Sequence, residues 1–147
     1  APQPAAPRPP VAGPDDPLPE IRILLVEDSK YNAFVIQTYL KDTPCRLAVA
    51  ENGREGIAAF SESGAELVLM DIQMPDMDGY EAMRAIRQWE AEKGLERTPI
   101  VALTAHAMQE EADRCLAAGA DVHLPKPVKK SALFAVIRQL TTDAAHG

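Results

Sequence analysis

The feature that most constrains this chain is a regular exchange between two hydrophobic periods. Short runs rich in Val, Ile and Leu stand at residues 21–26, 47–50, 66–70, 100–103 and, more weakly, 122–124. Runs this short and this aliphatic have the composition of strands buried on both faces. Between them apolar residues recur at helical spacing. The stripes are Ala33, Ile36 and Leu40; Ile57 and Phe60; Ala82, Ile86 and Trp89; Met108, Ala112, Cys115 and Leu116; and Leu133, Val136, Ile137 and Leu140. Asp28–Ser29 fits a cap for the first helix, and Gly94 and Gly119 stand where helices should stop. Five strand–helix units in strict alternation predict an α/β fold, with a parallel sheet covered by helices on both faces.

Residues 1–20 lie outside this pattern and hold eight of the 13 prolines. They have too few apolar side chains to offset the entropy of folding, which predicts a flexible Pro-rich linker over 1–20. The folded unit is then expected over 21–141, with a disordered tail over 142–147. A linker at this place is expected to follow an upstream domain. Hydrophobic residues make up 46% of the 147 positions and aromatics only 5%, so an aliphatic core is expected. The net charge of −7 argues against binding nucleic acid through its phosphates. No apolar run approaches the ~20 residues of a membrane span, so no direct membrane contact is expected. Cys45 and Cys115 are too few for a disulfide framework and lack metal-site spacing, in keeping with a cytoplasmic location.

In an open α/β sheet, ligands bind beyond the carboxyl ends of the strands. Glu27 and Asp28 follow the first strand, Asp71 ends the third, Thr104 ends the fourth and Lys126 follows the fifth. Three carboxylates gathered at one edge repel unless a cation is present. Mg²⁺, hard and octahedral, is the natural counter-ion, with Mn²⁺ as its substitute. The competing reading makes Asp28 a helix cap and Glu27 a solvated charge. Lys126 is placed to meet Asp71 or a phosphoryl oxygen. Thr104 fits either a helix cap before Ala105 or a hydroxyl that binds a phosphoryl oxygen.

Residues 71–79, Asp71-Ile-Gln-Met-Pro-Asp-Met-Asp-Gly79, narrow the chemistry. Pro75 and Gly79 predict a tight loop, and Asp78 a cap for the next helix. A calcium loop fails on spacing, because its first and twelfth ligand positions would be Met74 and Ala85. A haloacid-dehalogenase-type site needs a second Asp where Gln73 stands. Asp71 is thus a single carboxylate at a strand end beside a metal, as an aspartyl-phosphate nucleophile requires.

From Ile21 to Leu140 the sequence resembles the response-regulator receiver domains of two-component signalling. The resemblance is carried by Leu25-Val-Glu-Asp28, Leu69-Met-Asp71, Met74-Pro-Asp-Met-Asp-Gly79, Ala102-Leu-Thr-Ala105, Ala118-Gly-Ala120 and Lys126-Pro127, in that order. It implies a (βα)5 flavodoxin-like, doubly wound sheet of five parallel strands in the order 2-1-3-4-5. It also implies that Asp71 accepts a phosphoryl group from a phosphohistidine on a histidine kinase or histidine phosphotransfer domain. Asp28, Asp71 and the Gln73 main-chain carbonyl would hold Mg²⁺, with Glu27 contributing directly or through water. Lys126, Thr104 and the Ala105 N–H would bind the phosphoryl group, and Gln73 and His106 would tune its slow hydrolysis. Such a domain catalyses its own phosphorylation and dephosphorylation, without turnover of a small-molecule substrate.

Members of the family usually carry Tyr or Phe three residues before the Lys, as a ring that moves when the Thr engages. Here that switch position is His123, either a pH-sensitive variant of the switch or a surface ring without that role. The charged stretch at 88–97, with the Pro-rich leader, is similar to receivers attached to hybrid histidine kinases; a stand-alone receiver with a tail is the other reading. The region 104–140 is the candidate homodimer surface, through the fourth helix, fifth strand and fifth helix. The competing function is a receiver-fold binding module without phosphate turnover. A kinase lacks its Gly-rich nucleotide loop here, and a helical phosphotransfer module lacks its helix bundle.

Overall fold

The computed structural model describes residues 18–74, 77–105 and 108–146, with side chains through Thr141. The five apolar runs form β1 (Arg22–Val26), β2 (Arg46–Ala50), β3 (Leu67–Asp71), β4 (Ile100–Thr104) and β5 (Val122–Pro125). They alternate with α1 (Lys30–Leu40), α2 (Gly53–Ser63), α3 (Gly79–Lys93), α4 (Gln109–Ala118) and α5 (Lys130–His146). All neighbouring strands are parallel, in the order β2-β1-β3-β4-β5, which is the expected doubly wound arrangement. The register pairs Val26 with Met70, Asp71 with Leu103 and Thr104 with Pro125. The carboxyl ends therefore finish level with one another, and their polar residues share one edge.

Alternation along the strands divides the core in two. Leu24, Val26, Val68, Met70, Ile100 and Ala102 face α2, α3 and α4 through Phe60, Met83, Ile86 and Cys115. Ile23, Leu25, Leu67, Leu69, Val101 and Leu103 face α1 and α5 through Ile36, Leu40, Leu133 and Ile137. Only β3 and β4 are buried along their whole length. The edge strand β2 leaves Val49 exposed, so its apolar run is half-solvated rather than buried on both faces.

Several sequence expectations shift at the boundaries. Packing begins at Leu18, ahead of residue 21: Leu18 is buried with Ile21 and Leu40, and Cys45 Sγ donates to the Pro19 carbonyl at 3.4 Å. At the other end α5 runs to His146, past the boundary expected at 141; no Pro or Gly interrupts it before Gly147. The α4 stripe is Ala112, Cys115 and Ala118, three residues small enough to bring the helix close to the sheet. Met108 and Leu116, expected in that stripe, are 60% and 53% exposed. Among the described residues no helix is long and apolar enough to cross a membrane.

The charged stretch at 88–97 is less solvated than its composition implies. Glu90 is buried on α3 and accepts from Arg87 Nη1 at 2.8 Å and from the Thr98 N–H at 2.7 Å. Arg87 also donates to the Gly119 and Thr98 carbonyls and to Asp121. Asp121 accepts in turn from the Ile100 N–H and Arg97. This network ties the end of α3 to the start of β4 and the α4–β5 connection, at the end of the sheet away from Asp71. Removing a partner from a buried, hydrogen-bonded charge network strands the groups that remain. Glu90→Ala is accordingly expected to lower unfolding free energy by about 2–4 kcal/mol in urea titrations, whereas the exposed Glu92→Ala should change it by less than about 0.5 kcal/mol.

Candidate functional site: an acidic cluster closed by a lysine

The site is assembled by three strand ends and the first turn of α1. Beyond Val26 the chain leaves the sheet with Glu27 buried and Asp28 exposed. Ser29 caps α1, accepting from the Asn32 N–H at 3.3 Å, so the reading of Asp28 as that cap is not what the fold uses. Glu27 is fixed from the same turn, because its Oε2 accepts the Ser29 N–H at 3.1 Å. Asp71 is the last residue of β3, and its Oδ1 accepts the Gln73 N–H at 3.1 Å. Gly79 lets the following loop fold back: a Cβ there would overlap the Asp71 carbonyl and the Ile72 backbone. Asp78 caps α3 as expected, accepting from the Glu81 N–H at 2.9 Å.

Carboxylate oxygens of Glu27, Asp28 and Asp71 lie within 4.8 Å of one another. Lys126 closes the cluster, its Nζ 3.0 Å from Asp71 Oδ1 and 3.0 Å from Glu27 Oε1. The sequence sets Lys126 against Asp71 or a phosphoryl oxygen; the structure adds Glu27 as a second carboxylate. The contact with Glu27 is an ion pair without hydrogen-bond alignment. Its backbone is held by an N–H bond to the Thr104 carbonyl at 2.6 Å, and the Lys126–Pro127 peptide is cis.

Electrostatics follow from this crowding. Burial, reinforced by the neighbouring Asp71 carboxylate, pushes the Glu27 carboxyl up to about 7 against an ordinary 4.5. For Lys126, burial alone would lower the ammonium pKa, but the Glu27 and Asp71 carboxylates outweigh it and hold it above its usual range. One cation against three carboxylates leaves the cluster short of positive charge. Asp71 Oδ2 is buried and has no hydrogen-bond partner among the described residues. A buried carboxylate oxygen without a partner, beside two further carboxylates, is the donor set a hard divalent cation takes. The residues present therefore fit Mg²⁺.

Thr104 ends β4, fully buried, with its hydroxyl donating to the Leu124 carbonyl at 3.4 Å. It is not a helix cap, since α4 begins five residues later with Met108 as its cap residue. Ala105 follows it, half-buried. On β5, Val122 and Leu124 pack toward α5, which turns the half-buried His123 to the other face of the sheet, the face of Ala102. Gln73 is exposed in the β3–α3 loop. Pro75, Asp76 and His106 lie outside the described residues.

With the geometry in place, comparison with known proteins is direct. The chain is 42% identical over 120 residues to the sensor protein GacS of Pseudomonas syringae pv. syringae, covering 82% of this chain and 13% of that one. It is 40% identical to hybrid signal transduction histidine kinase B of Dictyostelium discoideum, covering 75% of this chain and 6% of that one. The chain thus spans a small fraction of the curated relatives it matches. The receiver domain of a Pseudomonas aeruginosa sensor histidine kinase, solved with a magnesium ion coordinated in its active-site cleft, superposes with a TM-score of 0.73 at 35% identity, covering 84% of this chain and 99% of that one. The receiver domain of Saccharomyces cerevisiae Ssk1, co-crystallised with the histidine phosphotransfer protein Ypd1, gives 0.78 at 30%, covering 84% and 94%. Residues 23–138 match the family model of the response regulator receiver domain, and the chain belongs to that family, the receivers of two-component phosphorelays.

Proposed function

We propose that this receiver takes a phosphoryl group onto Asp71 from a phosphohistidine of a histidine kinase or histidine phosphotransfer domain. The single observation that carries the reading is Asp71 Oδ2, a buried carboxylate oxygen with no hydrogen-bond partner among the described residues. Its neighbour Oδ1 is fixed by Gln73 N–H and Lys126, so one oxygen is oriented while no described donor engages the lone pairs of the other. Oδ2 donates an electron pair to phosphorus and the P–N bond breaks. The imidazole leaves with the bonding pair, as a neutral ring when its other nitrogen carries the proton. Mg²⁺, held by Glu27, Asp28, Asp71 and the Gln73 carbonyl, would neutralise charge on the phosphoryl oxygens. Positioning and charge neutralisation supply most of what such a transfer needs.

Lys126 loses one anionic charge on Asp71 when the acyl phosphate forms and meets the new phosphoryl oxygens instead. Thr104 can exchange its long bond to Leu124 for a phosphoryl oxygen, with the Ala105 N–H beside it. That rotation leaves space on the face where His123 stands, giving His123 the switch position. Water then attacks phosphorus, the P–O bond to Asp71 breaks, and inorganic phosphate leaves with the Asp71 carboxylate regenerated; the family resemblance assigns the tuning of that lifetime to Gln73 and His106. The likeness to a hybrid histidine kinase supports reading the chain as a receiver within such a kinase, and we read it as facing the cytoplasm. The exposed Met108, at the cap of α4, and Leu116 on the helix support a homodimer contact through α4, β5 and α5.

Intact mass after incubation with phosphoramidate and Mg²⁺ is expected to rise by one phosphoryl group, with no gain in Asp71→Asn or after chelation. A folded, Mg²⁺-binding protein that acquires no adduct and no beryllofluoride complex would instead be a receiver-fold binding module. Glu27 predicts a pH effect with a definite sign. Its folded carboxyl holds a proton up to about pH 7, whereas the unfolded one releases it near the ordinary value. Its contribution is therefore fully present below the unfolded pKa and is lost as pH rises through about 7. Without divalent cation, wild-type stability relative to Glu27→Gln should fall by on the order of 1–3 kcal/mol from pH 4.5 to 8; parallel urea midpoints across that window would reject the assignment. At the switch, His123→Tyr is expected to alter the beryllofluoride-induced amide shifts of β4 and α4, and identical shifts would remove His123 from the switch.

A further inference from the structure

We propose that Tyr39 is a positioning residue for the Lys126 ammonium, an inference that rests on the phosphoacceptor reading of the same site. Tyr39 lies in the last turn of α1, half-buried against the α1–α5 core. Its hydroxyl donates to the Val128 carbonyl at 2.9 Å. Val128 stands two residues after Lys126, and its side chain is buried in the same core. The connection that carries Lys126 is therefore fixed at two points. On the β4 side the Lys126 N–H is bonded to the Thr104 carbonyl; on the α1 side the Val128 carbonyl is bonded to Tyr39.

Between these points the chain crosses a groove of about 210 Å³ lined by Glu27, Asn32, Ile36, Tyr39, Lys126 and Val128, among others. Helical side chains lean toward the helix amino terminus, so the Tyr39 ring reaches back along α1 toward the acidic edge. The same helix orients both members of the ion pair: its cap residue fixes Glu27 through the Ser29 N–H, and its last turn fixes the Lys126 connection through Tyr39. Without the hydroxyl, the carbonyl of Val128 has no side-chain donor among the described hydrogen bonds. The Lys126 connection is then held by its β4 side alone, and Nζ samples positions away from Asp71.

Tyr39→Phe in the full chain tests this, because the ring and its packing remain. Two readouts are needed: the rate of phosphoryl uptake from phosphoramidate at saturating Mg²⁺, and the slowly exchanging Nζ–H cross-peak of Lys126 in metal-free protein, assigned with Lys126→Arg. The variant should take up phosphoryl about three- to tenfold more slowly, the effect of one neutral hydrogen bond, and its ammonium cross-peak should broaden or vanish, while the urea midpoint falls by no more than the loss of that one bond accounts for. Tyr39→Leu, which also removes the ring, should show the same loss of the cross-peak if it folds. A Tyr39→Phe protein with wild-type cross-peak and wild-type uptake would overturn the proposal, as would slower uptake with an unchanged cross-peak. Absence of uptake in the wild type would refute the acceptor reading alone, leaving the cross-peak to decide for or against Tyr39.

Discussion

The arrangement depends on one cation among carboxylates. Lys126 stands 3.0 Å from oxygens of both Glu27 and Asp71, and those residues come from β5, β1 and β3 connections far apart in the chain. Two buried acids side by side are unfavourable on their own, as the upward displacement of Glu27 records. The level strand ends bring them together, and the ammonium makes the meeting tolerable. Much of the local backbone serves that contact: the Ser29 N–H on Glu27, the Gln73 N–H on Asp71, and the Thr104 carbonyl under the Lys126 N–H.

The arrangement is also deliberately incomplete in charge. A structural salt bridge would match each acid with a base and leave no carboxylate oxygen unpaired. Here Asp28 stays exposed and Asp71 Oδ2 stays unpaired among the described residues. Both features favour the arrival of positive charge, and both weaken the isolated fold at the site where chemistry is expected. Stability is supplied elsewhere, by the aliphatic faces of β3 and β4 and by the Arg87–Glu90–Asp121 network at the opposite end of the sheet.

Most of this was legible in the sequence, because periodicity and punctuation are local and the fold multiplies their consequences. The alternation of apolar runs with helical stripes gave the layers, and the polar residues after the runs gave the edge. What escaped was set by packing between distant segments. Nothing local distinguishes Glu27, buried, from Asp28, exposed. Met108 and Leu116 fit a helical stripe as well as Ala112 does, but the sheet accepts only the small residues of α4. Leu18 looked like part of a proline-rich leader, yet one aliphatic side chain next to Ile21 suffices to join the core. Glu90 carried a readable signal: it lies four residues after Ile86 and seven after Met83, on the buried face of α3, so a partner for it was required. Tyr39 carried none, since its bond is made to a carbonyl 89 positions away.

The distal network has a mechanical consequence for α4. Arg87 and Arg97 both grip the Gly119 carbonyl, immediately after the helix, while the amino-terminal end of α4 has no side-chain cap at Met108. Among the described hydrogen bonds, the side chains that hold the backbone at the ends of α4 therefore all act at the end away from Asp71, so the network that stiffens the far side of the sheet also anchors this helix from that side.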